Sequence, residues 1–245
     1  MAVALIFANT KLFAKTPVSI ELVLAVDTSL SVNDREYDLQ MRGIAQAFRS
    51  PDIISLIGLY DGVAVTILQW GGWVSEENTV PWQVLKSPSS VIEFARQIEE
   101  TKRENVGNFT AIGTAIDFSI KEIQQNEFEG RLRKIDVSGD GVNNVGPRPQ
   151  SYKNLADQLG ISINGLAIKT DLGSLDRYYR QNVITGPGSF VISATDYVDF
   201  AQAIHRKLKK ELEVPIGWRR DVPAKRSAPA PQQAALPRSY PHALQ

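Results

Sequence analysis

The apolar run Ile20-Glu21-Leu22-Val23-Leu24-Ala25-Val26 passes without a break into Asp27-Thr28-Ser29-Leu30-Ser31, and this junction constrains the chain more than any other feature. The run predicts a β-strand. Its end carries an acid and two alternate hydroxyls, three hard oxygen ligands at a strand's carboxyl edge, where open α/β sheets bind ligands. Single-residue spacing lets a loop curling off the strand aim all three oxygens at one point, with Leu30 expected to turn back and pack. Asn33 and Asp34 then stand at a helix start, and Tyr37, Met41, Ile44, Ala45 and Phe48 recur at helical spacing. Turn and N-cap duty would also account for Asp, Ser and Asn after a strand. These letters alone leave a divalent-metal site and a plain turn equally open.

Two later segments bear on that choice. Gly107-Asn108-Phe109-Thr110 precedes a helix with Ile112, Ile116, Ile120 and Ile123 on its apolar face. Thr110 suits that helix as an N-cap. Further on, Lys134-Ile135-Asp136-Val137-Ser138 reads as a short strand running into Gly139-Asp140-Gly141, so a second acid ends a second strand. Asp140 before glycine is also an ordinary turn residue.

The remaining chain alternates strands and helices. Strands are expected at Val63 to Gln69, Val80 to Leu85, Ile161 to Ile168 and Phe190 to Ser193. Helices are expected around Val91 to Ile98, Tyr152 to Leu159, behind Ser174, and from Val198 to Leu212. Such alternation predicts an α/β fold with a mostly parallel sheet covered on both faces, plus one antiparallel edge strand from the Val63 to Leu85 hairpin. Trp70, Trp73 and Trp82 cluster at this hairpin and read as packing residues ahead of a binding patch. Asn33, Asn108, Asn143 and Asn144 flank the proposed loops, as turn formers or as determinants of partner choice.

Together the three segments resemble the von Willebrand factor A (VWA) domain with its metal-ion-dependent adhesion site. Its pattern is Asp-x-Ser-x-Ser after the first strand, a Thr before a central helix, and an Asp beside Gly after the fourth strand. The matching residues are Asp27, Ser29, Ser31, Thr110 and Asp140. The resemblance runs from about residue 18 to about residue 212 and is closest to a bacterial VWA-like branch of unknown function, sharing Asp27 to Ser31, Gln69-Trp70 and Ser138 to Asn144. One departure is Gly139, which stands where the family more often has Ser or Thr before the last Asp. The resemblance implies a three-layer, doubly wound sheet and a bound magnesium, with manganese or calcium as substitutes. In it Ser29, Ser31 and Thr110 contact the metal, and Asp27 and Asp140 act directly or through water. It also implies that an open coordination position takes an acidic side chain, Asp or Glu, from a protein partner. The chemistry is coherent, because magnesium is usually held by one or two carboxylates with part of its shell left open.

Rival motifs fail on the same letters. Asp136 to Gly141 opens like an EF-hand loop, but its twelfth position is Pro147 rather than an acid. Phosphotransferases that begin with a strand-end Asp need a second acid two residues on, where this chain has Ser29. No glycine-rich phosphate loop follows the first strand. The 245 residues contain no cysteine, and their histidines are His205 and His242 alone. Thiolate sites, histidine-based zinc and a Ser-His-Asp triad are therefore disfavoured.

A net charge of zero gives no electrostatic ground for nucleic acid or an anionic membrane. From Val214 the chain has six prolines, alanine-rich stretches and no apolar period, with five Lys or Arg against one acid. This reads as a disordered tail over 214–245, behind a VWA-like domain over 18–213. Residues 1–17 begin apolar, but their first positive charge, Lys11, follows the apolar run, so they read as a truncated signal peptide at most. No segment is long enough to span a membrane. A periplasmic or secreted location is expected from the family branch, with the cytoplasm as the alternative. The function expected is non-enzymatic protein binding through a metal. The alternatives are a magnesium-dependent hydrolase or phosphotransferase using Asp27, and a structural domain with a vestigial site.

Overall fold

The computed structural model describes residues 14–75, 80–170 and 172–213. The leader and the Pro/Ala-rich tail of the sequence analysis lie outside the described residues, apart from 14–17. At the centre is β1 (Thr16–Asp27), flanked by β2 (Val63–Trp70) and β4 (Phe128–Gly139). With β3 (Val80–Leu85), β5 (Ile161–Ile168) and β6 (Val191–Ala194) they make one sheet in the order β3-β2-β1-β4-β5-β6. All neighbours are parallel except β2 and β3, the expected antiparallel edge.

Both faces are covered, which is why the central strand is an almost unbroken apolar run. Ile20, Leu22, Leu24 and Val26 face a layer built by α1 (Asp34–Arg49), α2 (Pro51–Ile57), α3 (Pro88–Glu100) and α7 (Phe200–Leu212). Val23 and Ala25 face the opposite layer of α4 (Ile112–Gln125), α5 (Lys153–Gln158) and α6 (Leu175–Asn182). Parallel register places Asp27 opposite Trp70 and Val26 opposite Ser138, and Gly139 opposite Ala167. The strand ends that matter for chemistry therefore share one edge.

Several local expectations change. β4 is twelve residues long rather than a short strand from Lys134, because Phe128 to Arg133 pair with Thr16 to Glu21 of β1. Helix α2, opened by Pro51, was not foreseen. The closing helix starts at Phe200, leaving Val198 exposed. Leu30 does not turn back to pack. It is 65% exposed, since the loop turns the Ser29 and Ser31 hydroxyls toward each other and the residue between them outward. The tryptophans divide: Trp70 is fully buried, Trp82 is half-buried and donates its Nε1 to Glu122, and Trp73 is exposed. No helix among the described residues is long and apolar enough to cross a membrane.

Candidate metal centre

β1 delivers Asp27 fully buried to the sheet edge. Its Oδ1 accepts the Ser29 amide at 2.9 Å, an Asx-type bond that curls the loop as it leaves the strand. The curl aligns the hydroxyls: Ser29 Oγ lies 3.1 Å from Ser31 Oγ, and Ser31 Oγ donates to Asp140 Oδ1 at 2.7 Å. Tyr197, ahead of α7, donates its hydroxyl to the other Asp140 oxygen at 3.0 Å. Two carboxylates and two hydroxyls thus come together from segments more than a hundred residues apart.

Thr110 joins them through the backbone. Its amide donates to Asn144 Oδ1 at 2.8 Å and its carbonyl accepts the Asn144 amide at 2.9 Å, which ties it to the loop that carries Asp140. A Cβ on Gly141 would sit 3.4 Å from Thr110 Oγ1. Thr110 is not the N-cap of α4; Ala111 occupies that place and offers no capping side chain. Asn143 Oδ1 instead accepts the Gly113 amide at 3.0 Å in the first turn. Asn143 and Asn144 are therefore loop fasteners. Asn33 caps α1 in a reciprocal pair with Glu36.

Gly139, the departure from the resembled pattern, has a steric reason. A Cβ there would lie 2.7 Å from Asp27 Oδ2 and 2.9 Å from Tyr179 Oη, so only glycine admits both groups. Asp27 Oδ2 and Tyr179 Oη are each buried without a hydrogen-bond partner. Burial, reinforced by the Asp140 charge, pushes the Asp27 carboxyl up to about 7. Such a group is poised to gain from a cation.

Arg103 was missed by the sequence analysis. Its guanidinium donates to Thr28 O at 3.3 Å, Ser29 O at 3.1 Å and Val32 O, and pairs with Asp34 at 2.7 Å. It holds the loop after β1 by its carbonyls, leaving the Ser31 hydroxyl to reach Asp140. Gln40 adds a bond from Nε2 to Asp27 O at 3.0 Å. Neither they nor Tyr197 carry a sequence signal, since each acts across a long loop closure or a helix face. Among the described residues no three His, Cys, Asp or Glu side chains converge. An ion here would be held by two carboxylates and hydroxyls, a hard-oxygen donor set.

The family model described as "Protein of unknown function (DUF1194)" matches residues 17–216. The chain belongs to this DUF1194 family. The DUF1194 domain is similar in structure to proximal thread matrix protein 1 from the mussel byssus. That match has a TM-score of 0.61 and 18% identity over 82% of this chain and 50% of the mussel chain. A second structure of the mussel protein, described as having a zinc-occupied MIDAS motif, matches with a TM-score of 0.56 and 16% identity, with 82% and 50% coverage. The vWF domain of the type V pili tip protein Mfa5 from Porphyromonas gingivalis matches with a TM-score of 0.54 and 8% identity, over 81% of this chain and 97% of that one. The chain spans about half the length of the mussel protein. No curated protein matches it. These likenesses establish the DUF1194 fold as that of a VWA domain.

Proposed function

We propose that this protein is a divalent-metal-dependent protein-binding module. Asp27, Ser29, Ser31, Thr110 and Asp140 would hold the ion, magnesium foremost, and the ion would supply an electrophilic position for an Asp or Glu side chain of a partner. The observation that carries this reading is the buried Asp27 carboxylate. One of its oxygens is unpartnered, and it stands in a chain of oxygens with Ser29, Ser31 and Asp140 that no cation among the described residues neutralises. Two carboxylates balance a dication, so an incoming carboxylate meets no net negative charge.

Turnover is the weaker reading, because among the described residues no general acid or base besides its own carboxylates accompanies the cluster. His205 bonds to Asp52 on α2 at 3.0 Å instead. The similar folds include a byssal thread protein and a pilus tip protein, which supports adhesion-type binding and a place outside the cytoplasm. The test is thermal unfolding with and without magnesium, paired with capture from a native extract. Magnesium should raise the midpoint of the wild type but not of Asp27→Ala. Capture should require magnesium and fail with chelator or with Thr110→Ala. An equal magnesium response in wild type and Asp27→Ala refutes the site.

A further inference from the structure

The described residues leave nine large apolar side chains exposed, and their distribution is uneven. Leu59, Ile92 and Leu155 are scattered over the domain. The other six, Leu30, Trp73, Phe109, Val142, Leu172 and Val198, fall one on each of the six connections that open at the carboxyl edge of the sheet. An exposed Leu or Val by itself means nothing. One on every loop around the same polar centre is a patterned surface, and patterned apolar surface marks an interaction site.

The crown is built in place. The Trp73 ring lies over Gly107, where an added Cβ would be 2.5 Å from Trp73 Cζ3, and Gly107 has a φ of +82° that favours glycine. Phe109 stands beside Gly72, and the backbones of Gly72 and Trp73 both donate to Val106 O. Leu30 shares with Gly107 and Asn108 the wall of a hollow of about 280 Å³. Leu30, Trp73 and Phe109, 65%, 53% and 57% exposed, form an arc on the Ser29 and Thr110 side. Val142 follows Asp140 by two residues, and Val198 follows Tyr197, whose hydroxyl bonds Asp140, so the arc continues on the other side.

We infer that this crown reads the residues on either side of the captured acid: the partner is a protein segment whose Asp or Glu is flanked by large apolar side chains. This rests on the metal-centred reading above and deepens it. Charge complementarity sets the centre, where a carboxylate is needed, and the crown sets the flanks. A membrane surface fits less well. Anionic lipid demands a surplus of free cations, whereas the cations of these connections, Lys102, Arg103, Arg148 and Lys169, are balanced by Asp34, Glu104, Asp196 and Asp199, and Arg103 is engaged by Asp34 and three carbonyls.

The test uses two short fluorescent peptides with one central Asp, flanked by Leu and Phe in one and by Ser in the other, titrated in magnesium. The apolar-flanked peptide should bind at least about tenfold more tightly, the change expected from burying one apolar side chain. Leu30→Ser combined with Phe109→Ser should erase that difference, leaving the Ser-flanked affinity and the thermal midpoint unchanged. Equal binding of both peptides by the wild type, or binding of neither while magnesium still raises the midpoint, overturns the crown and leaves the metal site standing. Apolar-flanked binding that survives chelator and Asp-to-Asn replacement in the peptide overturns the metal-centred reading and the composite partner with it. Preference for phosphatidylcholine vesicles over both peptides, lost in the double variant, overturns it in favour of a membrane.

Discussion

Two groups of buried acids lie within a few residues of each other along β4, and their surroundings differ in one respect. Asp136, in mid-strand, faces α7, where Lys207 Nζ lies 2.9 Å from Asp136 Oδ1 and 2.9 Å from Glu211 Oε1. Asn164 donates to Glu211 at 2.8 Å, and Lys134 lies 3.4 Å from its other oxygen. Two acids are matched by two lysines. At the strand's end, Asp27 and Asp140 are bonded by amide and hydroxyl groups, and among the described residues no ammonium or guanidinium reaches them. Burial is common to both groups. It pushes Asp136 up to about 6 against the pull of Lys207, and Asp27 up to about 7 with the help of Asp140. What separates a structural cluster from a candidate site is therefore internal compensation.

The strongest way to break this contrast is to remove the core cation. Lys207→Met leaves Asp136 and Glu211 buried without their shared partner and should cost about 3–5 kcal/mol. Denaturant unfolding measures the loss, and the magnesium response should persist. Removing the edge acid should do the reverse. Asp27→Asn should raise metal-free stability at pH 8 by about 1–3 kcal/mol, since an uncompensated buried charge disappears, while abolishing the midpoint rise with magnesium. A clear loss of metal-free stability would show that Asp27 is compensated after all.

Arg103 sharpens the comparison, because this cation grips the carbonyls of the loop rather than its carboxylates. Arg103→Ala should weaken magnesium affinity by about tenfold, equivalent to about 1.4 kcal/mol, and should speed amide exchange at Ser29 and Val32 even in chelator. Calorimetric titration and hydrogen exchange read the two effects separately. Unchanged affinity would reduce Arg103 to a fold contact.

The smallest effect is with pH. The Asp27 carboxyl binds its proton more tightly folded, near 7, than unfolded, near 3.8, so the folded state holds more protons between those values and stability falls as pH rises through them. Metal-free protein should be more stable at pH 6 than at pH 8 by about 1 kcal/mol. Magnesium should flatten the slope, and so should Asp27→Asn. The residue of slope in that variant belongs to Asp136 and should centre near pH 6.

Much of the candidate site was legible because its acids and hydroxyls sit at strand ends. Asp27, Ser29 and Ser31 are adjacent in sequence, and strand periodicity together with one bond, Ser29 N to Asp27 Oδ1, brings them together. Thr110 enters the candidate site through the family resemblance, because its local sequence suits a helix cap equally well; the bonds that hold it away from the cap position come from Asn144, on another loop. Leu30 was expected inside because an apolar residue between turn residues looks like a core residue. Nothing in its neighbourhood announces that five other connections at the same sheet edge expose apolar side chains.

The sheet's central strand, the alternation of layers and the identity of the acids and hydroxyls are all written in local pattern. Each follows from local periodicity or from a spacing of a few residues, which chain geometry enforces. Which acids would be compensated, that Arg103 would hold the loop by its carbonyls, and that six connections at one edge would each expose an apolar residue were settled only by the tertiary structure. These depend on parallel register between strands distant in sequence and on the packing of α7. Their partners meet only after long loops have closed, and short-range pattern carries no record of such a meeting.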